Sequence, residues 1–185
     1  LFPYTTLFRS MLLQGLTGHP FGSPDMIGGG EYLSFQENSG ECFDAELFAR
    51  YCEIAALMPV MQFSAAPWRL LGKEDYEKVL AAMKVREKYL PVLLDTVQYA
   101  YETGEPVVRH MEYVFPGQGM EKTMNQFMIG DKLLVAPVMQ KGVTSRMVQL
   151  PRGMWKLEDR ILESNGEEWS LNSEKGLLVL EKIEK

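Results

Sequence analysis

The stretch Arg86–Phe115, REKYLPVLLDTVQYAYETGEPVVRHMEYVF, decides the fold, because its apolar pattern changes in the middle. Tyr89, Leu93, Leu94, Val97 and Tyr101 recur at helical spacing and read as a core-facing stripe. That pattern starts near Glu74 and predicts a helix over Glu74 to Glu102, with Gly104 as its stop. Pro91 lies inside it and is expected to break or kink the helix near Leu90. From Pro106 to Phe115 the texture becomes β-rich and the helical period is lost.

Toward the C-terminus the β texture persists. Asp131 to Met139, Ser145 to Leu150 and Gly176 to Leu180 are further β-rich runs, separated by turn signals such as PGQG and PRG. The segments SNGEEWS and EKIEK read as solvated surface or hairpin loop. This half predicts an all-β region, a sandwich.

Toward the N-terminus the order is α/β. Phe43 to Leu57 carries apolar residues at helical spacing, Asp44 is placed to cap it, and Pro59 ends it. Val60 to Ser64 suits a short buried strand, followed by the loop AAPWR. MLLQGL from Met11 reads as a short buried element before the Gly/Pro-rich loop TGHPFGSPD at a strand end. The expected order is strand, helix, strand, helix, then strands: an α/β unit over 11–105 joined to a β domain over 106–185. Two strands cannot bury both faces of a sheet, so further sequence is expected upstream. The first ten residues, LFPYTTLFRS, lack the pattern of a signal peptide and read as a segment foreign to the protein.

A net charge of −6 argues against an electrostatic partner such as nucleic acid or an anionic membrane. No apolar run approaches the roughly 18 residues that a membrane span needs. Cys42 and Cys52 have neither CxxC spacing nor neighbouring histidines, so no metal site is expected. Read as free thiols, they lean the expected compartment toward a reducing, cytoplasmic one. Nothing in the sequence calls for a cofactor.

Two stretches carry candidate chemistry. GSPDMIGGGE, Gly22 to Glu31, does not suit phosphate, because Asp25 and Glu31 flank its glycines and no GxGxxG or GxxxxGK[ST] spacing is present. Its local reading is a turn with an incidental acid. In QFSAAPWRL, Gln62 and Ser64 alternate with Phe63 and so share a face, with Trp68 close behind. Polar hydrogen-bonders beside an aromatic face suit a sugar, although Trp68 packed beneath the loop is an equal alternative. His19, Arg109 and His110 have no partner motif and read as structural or surface residues.

In order along the chain, the motifs resemble glycoside hydrolase family 31, the α-glucosidase and α-xylosidase family, from Leu12 to the C-terminus. Gly18 to Asp25 followed by MIGG resembles the family's G-x-P-x-x-x-x-D-I-G-G-F. ELFARYCEIAALMPVMQ resembles the helix leading to G-A-F-x-P-F-x-R, and Pro67-Trp68 resembles R-x-P-W. KYLPVLLDTVQYAYETGEPVVRHMEYVFP and QFMIGDKLLVAPVMQKGVTSRMVQLPRGMWK resemble the two later signatures, R-Y-x-L-L-P-Y-L-Y-T-L and D-Q-F-x-x-G-x-x-L-L-V-A-P-V. The resemblance implies the last two βα units of a TIM (β/α)8 barrel plus a β-sandwich domain.

It also implies retaining hydrolysis of an α-linked oligosaccharide or glycoside by two aspartates, on the fourth and sixth barrel strands. Neither strand is in this sequence, so no residue here is assigned a catalytic role and the chain alone is expected to be inactive. Asp25, Gln62, Ser64 and Trp68 become the substrate-binding candidates. Gln62 and Ser64 stand where the family pattern has arginine and histidine, and Gly29-Gly30 replaces G-F. Such exchanges alter hydroxyl recognition and point away from maltose-type specificity toward another α-glycoside. The rival reading is a non-catalytic module, with the β half a carbohydrate-binding or structural domain.

Overall fold

A computed structural model of the chain describes residues 3–28, 43–174 and 176–183. Its N-terminal half is helical and its C-terminal half is mostly sheet.

The first helix, α1 (Pro3–Leu16), corrects an expectation. MLLQGL is not strand-like: Phe8, Met11 and Leu12 fall on one helical face and are buried. A helix satisfies its backbone groups internally, whereas a buried strand needs partners alongside it. α2 (Ala45–Ala55) starts as predicted, with the Asp44 carboxylate accepting from the Leu47 N–H at 3.0 Å. The Arg86 guanidinium finishes the helix, donating at 2.8 Å to the carbonyls of Ala56 and Met58.

A short helix, α3 (Pro67–Leu70), leads into α4 (Lys73–Thr103). Gly104 caps α4 with a left-handed φ of 80° and donates to the Ala100 carbonyl. Of the break or kink expected at Pro91, the break does not occur. Pro91 and Glu87 both lie on the exposed side of α4, so the carbonyl left without an N–H partner faces water.

Among the described residues the β half has eight strands: β1 (Val108–Arg109), β2 (Phe127–Ile129), β3 (Leu133–Ala136), β4 (Ser145–Gln149), β5 (Gly153–Leu157), β6 (Arg160–Ser164), β7 (Glu168–Asn172) and β8 (Leu178–Ile183). Six pair in the order β1-β2-β3-β8-β5-β6, and β4 pairs with β7 separately, all antiparallel. The predicted β run from Pro106 to Phe115 is cut short by a single helical turn, α5 (Met111–Val114), whose cap is His110 Nδ1 accepting from Glu112 N–H. Nor is SNGEEWS a hairpin: β6 pairs with β5 and β7 with β4, so the chain crosses from one sheet to the other there.

Alternation along the large sheet separates two apolar cores. Phe127, Ile129, Leu133, Val135 and Val179 join the cluster that includes Phe8, Leu12, Phe48 and Leu93 of the helices. Met128, Leu134, Ala136 and Leu180 join a second cluster with Trp155, and with Val148 and Leu171 of the small sheet. Trp155 is its centre, packed edge-on against Phe115 and donating its indole N–H to the Pro151 carbonyl at 2.8 Å.

Polar contacts tie α2 to the loop before β4. Lys141 pairs with Asp44 at 2.8 Å, Gly142 N–H donates to Glu46 at 2.8 Å, and Arg50 donates to the Val143 carbonyl at 3.3 Å. Arg50 also pairs with the buried Glu53 at 3.2 Å. Burial raises the Glu53 carboxyl above its ordinary range, outweighing the attraction of Arg50.

Candidate sugar-binding site

Two loop segments meet at one point. Ile27 and Phe63 form an isolated parallel β-bridge, with Ile27 N–H donating to the Gln62 carbonyl at 2.7 Å and Ser64 N–H to the Ile27 carbonyl at 3.0 Å. The strand expected over Val60 to Ser64 is reduced to this one bridge. A ladder lengthens only where a neighbour runs alongside, and the described chain around Ile27 offers a single pairing residue.

Asp25 lies two residues before the bridge, exposed, with a left-handed φ of 90°. Its carboxylate accepts from Met26 N–H at 2.7 Å. Pro24 just before it is buried, and its carbonyl accepts from the Tyr51 hydroxyl of α2. Burial, and secondarily the charge of Asp25, raise the Tyr51 hydroxyl well above its ordinary range. Tyr51 therefore stays a protonated donor at any physiological pH.

Gly28 makes the close fit possible. It has φ +78°, and a Cβ there would lie 2.6 Å from Phe48 Cε2 and 3.0 Å from Ser64 Oγ. Phe48 in turn stacks on Phe63 with centroids 6.2 Å apart. Gly29, Gly30 and Glu31, with Cys42, lie outside the described residues.

The remaining candidates are placed unequally. Gln62 and Ser64 flank Phe63 and are exposed, as the alternation predicts. The Ser64 hydroxyl, however, donates to the Ile27 carbonyl at 3.0 Å, so its proton is already used and its lone pairs remain. Trp68 is not packed beneath the loop: it is 69% exposed on α3. Among the described residues, no hydrogen bond or ring contact joins it to Asp25, Gln62 or Ser64.

Other side chains with chemical potential are absorbed into the fold. His19 is exposed. His110 is buried, with Nε2 3.2 Å from Met124 Sδ and its pKa lowered by burial, so the ring is neutral. Arg109 donates to the Pro106 carbonyl and lies over the Tyr99 ring. The Cys52 thiol is pushed up to about 12 by burial and then by Glu53, which suppresses the thiolate. Among the described residues no group of three or more His, Cys, Asp or Glu could hold a metal ion. A cavity of about 700 Å³ lies between Arg9 and the β4 region and includes none of the four candidates.

In the sequence Tyr51 reads only as one of the helically spaced apolar residues of Phe43 to Leu57. Nothing local marks it, because its partner lies 27 residues earlier in the chain.

The crystal structure of a family 31 α-xylosidase from a soil metagenome, complexed with xylose, superimposes with a TM-score of 0.79 at 22% identity, over 95% of this chain and 29% of that one. Residues 104–177 match the profile of the Glycosyl hydrolase family 31 C-terminal domain. The chain is 38% identical over 158 residues to the mouse Myogenesis-regulating glycosidase, covering 82% of this chain and 22% of that protein. It is 31% identical over 152 residues to Alpha-glucosidase 2 of Bacillus thermoamyloliquefaciens, covering 76% and 18%. The chain belongs to glycosyl hydrolase family 31, and it spans about a fifth of the length of these curated relatives.

Proposed function

We propose that this chain is the C-terminal part of a retaining α-glycoside hydrolase. Residues 11–105 form the end of a (β/α)8 barrel and residues 106–185 a β-sandwich domain that supports it. The Ile27–Phe63 bridge carries the reading, because it sets the Asp25 turn and the Gln62–Ser64 segment side by side, as adjacent barrel strand ends would be. Active sites of such barrels lie at the C-terminal ends of the strands.

In that setting Asp25 accepts hydrogen bonds from sugar hydroxyls. Gln62 offers both donor and acceptor, Ser64 accepts through its lone pairs, and the exposed ring of Trp68 offers an apolar face for a sugar. The nucleophile and the acid/base carboxylates, roughly 5–5.5 Å apart in retaining enzymes, belong to sequence outside these residues. The chain alone is therefore inactive. The neutral pair Gln62 and Ser64 selects an α-glycoside other than a maltose-type glucoside.

The test is a panel of aryl α-glycosides assayed with the full-length protein and its Asp25→Ala variant. Turnover of at least one α-glycoside, lost in the variant, is expected. Undiminished turnover by Asp25→Ala would remove Asp25 from the site. Hydrolysis by the isolated 185-residue chain would refute the assignment of the catalytic carboxylates elsewhere.

A further inference from the structure

Asp25 occupies a backbone conformation that an L-residue rarely adopts, at φ 90°. Such a conformation persists only when its surroundings over-determine it. Here the turn is held at both ends. On the C-terminal side, Ile27 is fixed through its N–H to Gln62 and its carbonyl to Ser64. On the N-terminal side, the Pro24 carbonyl is held by the hydroxyl of Tyr51. Tyr51 is only 6% exposed, and its ring belongs to the helix-side core. Its helix is anchored in turn to the β half through Asp44, Glu46 and Arg50.

We infer that Tyr51 is a positioning residue for sugar binding: its hydroxyl, by holding the Pro24 carbonyl, fixes the turn that presents the Asp25 carboxylate. The inference rests on the sugar-binding role proposed for Asp25. Tyr51 does not touch the substrate; it acts through the backbone on either side of Asp25. The ring provides packing and the hydroxyl provides direction, and the two are separable by one atom.

The experiment uses the full-length protein with Tyr51→Phe, Asp25→Ala and the double variant. Each is measured for kcat/KM on the best aryl α-glycoside, for thermal unfolding, and for amide hydrogen exchange at Met26 and Ile27. Tyr51→Phe keeps the ring, so the melting temperature is expected to fall only by the loss of one buried hydrogen bond. The Pro24 carbonyl loses its donor, exchange at Met26 accelerates, and kcat/KM falls by about tenfold. In the Asp25→Ala background, Tyr51→Phe has no further effect on kcat/KM, because the group it positions is gone.

Additive losses in the double variant would overturn the inference and make Tyr51 merely structural. Unchanged kcat/KM and unchanged Met26 exchange in Tyr51→Phe, with Asp25→Ala impaired, would overturn the inference while leaving the role of Asp25 intact. Full activity of Asp25→Ala would bring down both. Faster Met26 exchange in Tyr51→Phe would then still show that the hydroxyl holds the turn, locating the failure in the role of Asp25.

Discussion

Replacing Gly28 by alanine tests the packing at the bridge, because two costs fall on one atom. The first is conformational: an L-residue at φ +78° costs about 1–2 kcal/mol. The second is steric, since the new Cβ would sit 2.6 Å from Phe48 Cε2. Phe48 cannot swing aside, because its ring lies against Phe43 at 5.8 Å and Phe63 at 6.2 Å and is 2% exposed. Forcing extra volume into such a site costs about 1–3 kcal/mol. Together the destabilisation is about 2–5 kcal/mol. For a chain of this size that lowers the melting temperature by about 4–20 °C. Gly104→Ala is the control, with φ +80° but nothing within 4 Å of its Cβ, so it bears the conformational cost alone. Scanning calorimetry of the two variants beside the parent separates the terms. A Gly28→Ala melting temperature no lower than that of Gly104→Ala would refute the steric argument. Phe48→Leu added to Gly28→Ala should recover part of the loss.

Glu53, raised above its ordinary 4.5 by burial, keeps its proton in the folded chain at pH values where the unfolded chain has lost it. Stability therefore falls as pH climbs from about 4.5 through the folded pKa, and Glu53→Gln should flatten that slope in urea midpoints measured against pH. Trp155→Ala removes the largest side chain of the second core together with its hydrogen bond to Pro151, and should cost about 3–5 kcal/mol in urea unfolding. Pro91→Ala restores a helical hydrogen bond on an exposed face and should stabilise α4 by about 1–3 kcal/mol, seen as a later urea midpoint. An unchanged or earlier midpoint would contradict the view that the fold only tolerates Pro91.

Local chemistry was read correctly where the chemistry is local. Asp44 caps α2 because its carboxylate needs only the N–H three residues on, and Gly104 ends α4 because only glycine adopts φ 80° without strain. LLVA at 133–136 was legible as a strand because it is buried on both faces and reads as one apolar run. β5, β6 and β7 were harder to see, since each mixes buried and exposed residues over only five positions. The candidate site was half legible. Asp25, Gln62 and Ser64 could be named, but the orientation of the Ser64 hydroxyl could not, because its acceptor is a carbonyl 37 residues away.

By itself, then, the sequence determined α2 and α4 with their ends, the change to β texture after Gly104, and the ordered motifs of family 31. Tertiary structure alone decided that Met11–Leu16 is helical, that Val60–Ser64 keeps one bridge, and that Tyr51 reaches Pro24. A helix closes its hydrogen bonds within four residues, so its own sequence carries most of the information. A strand, a bridge or a held turn takes its partners from distant segments, and these exist only once the chain has folded.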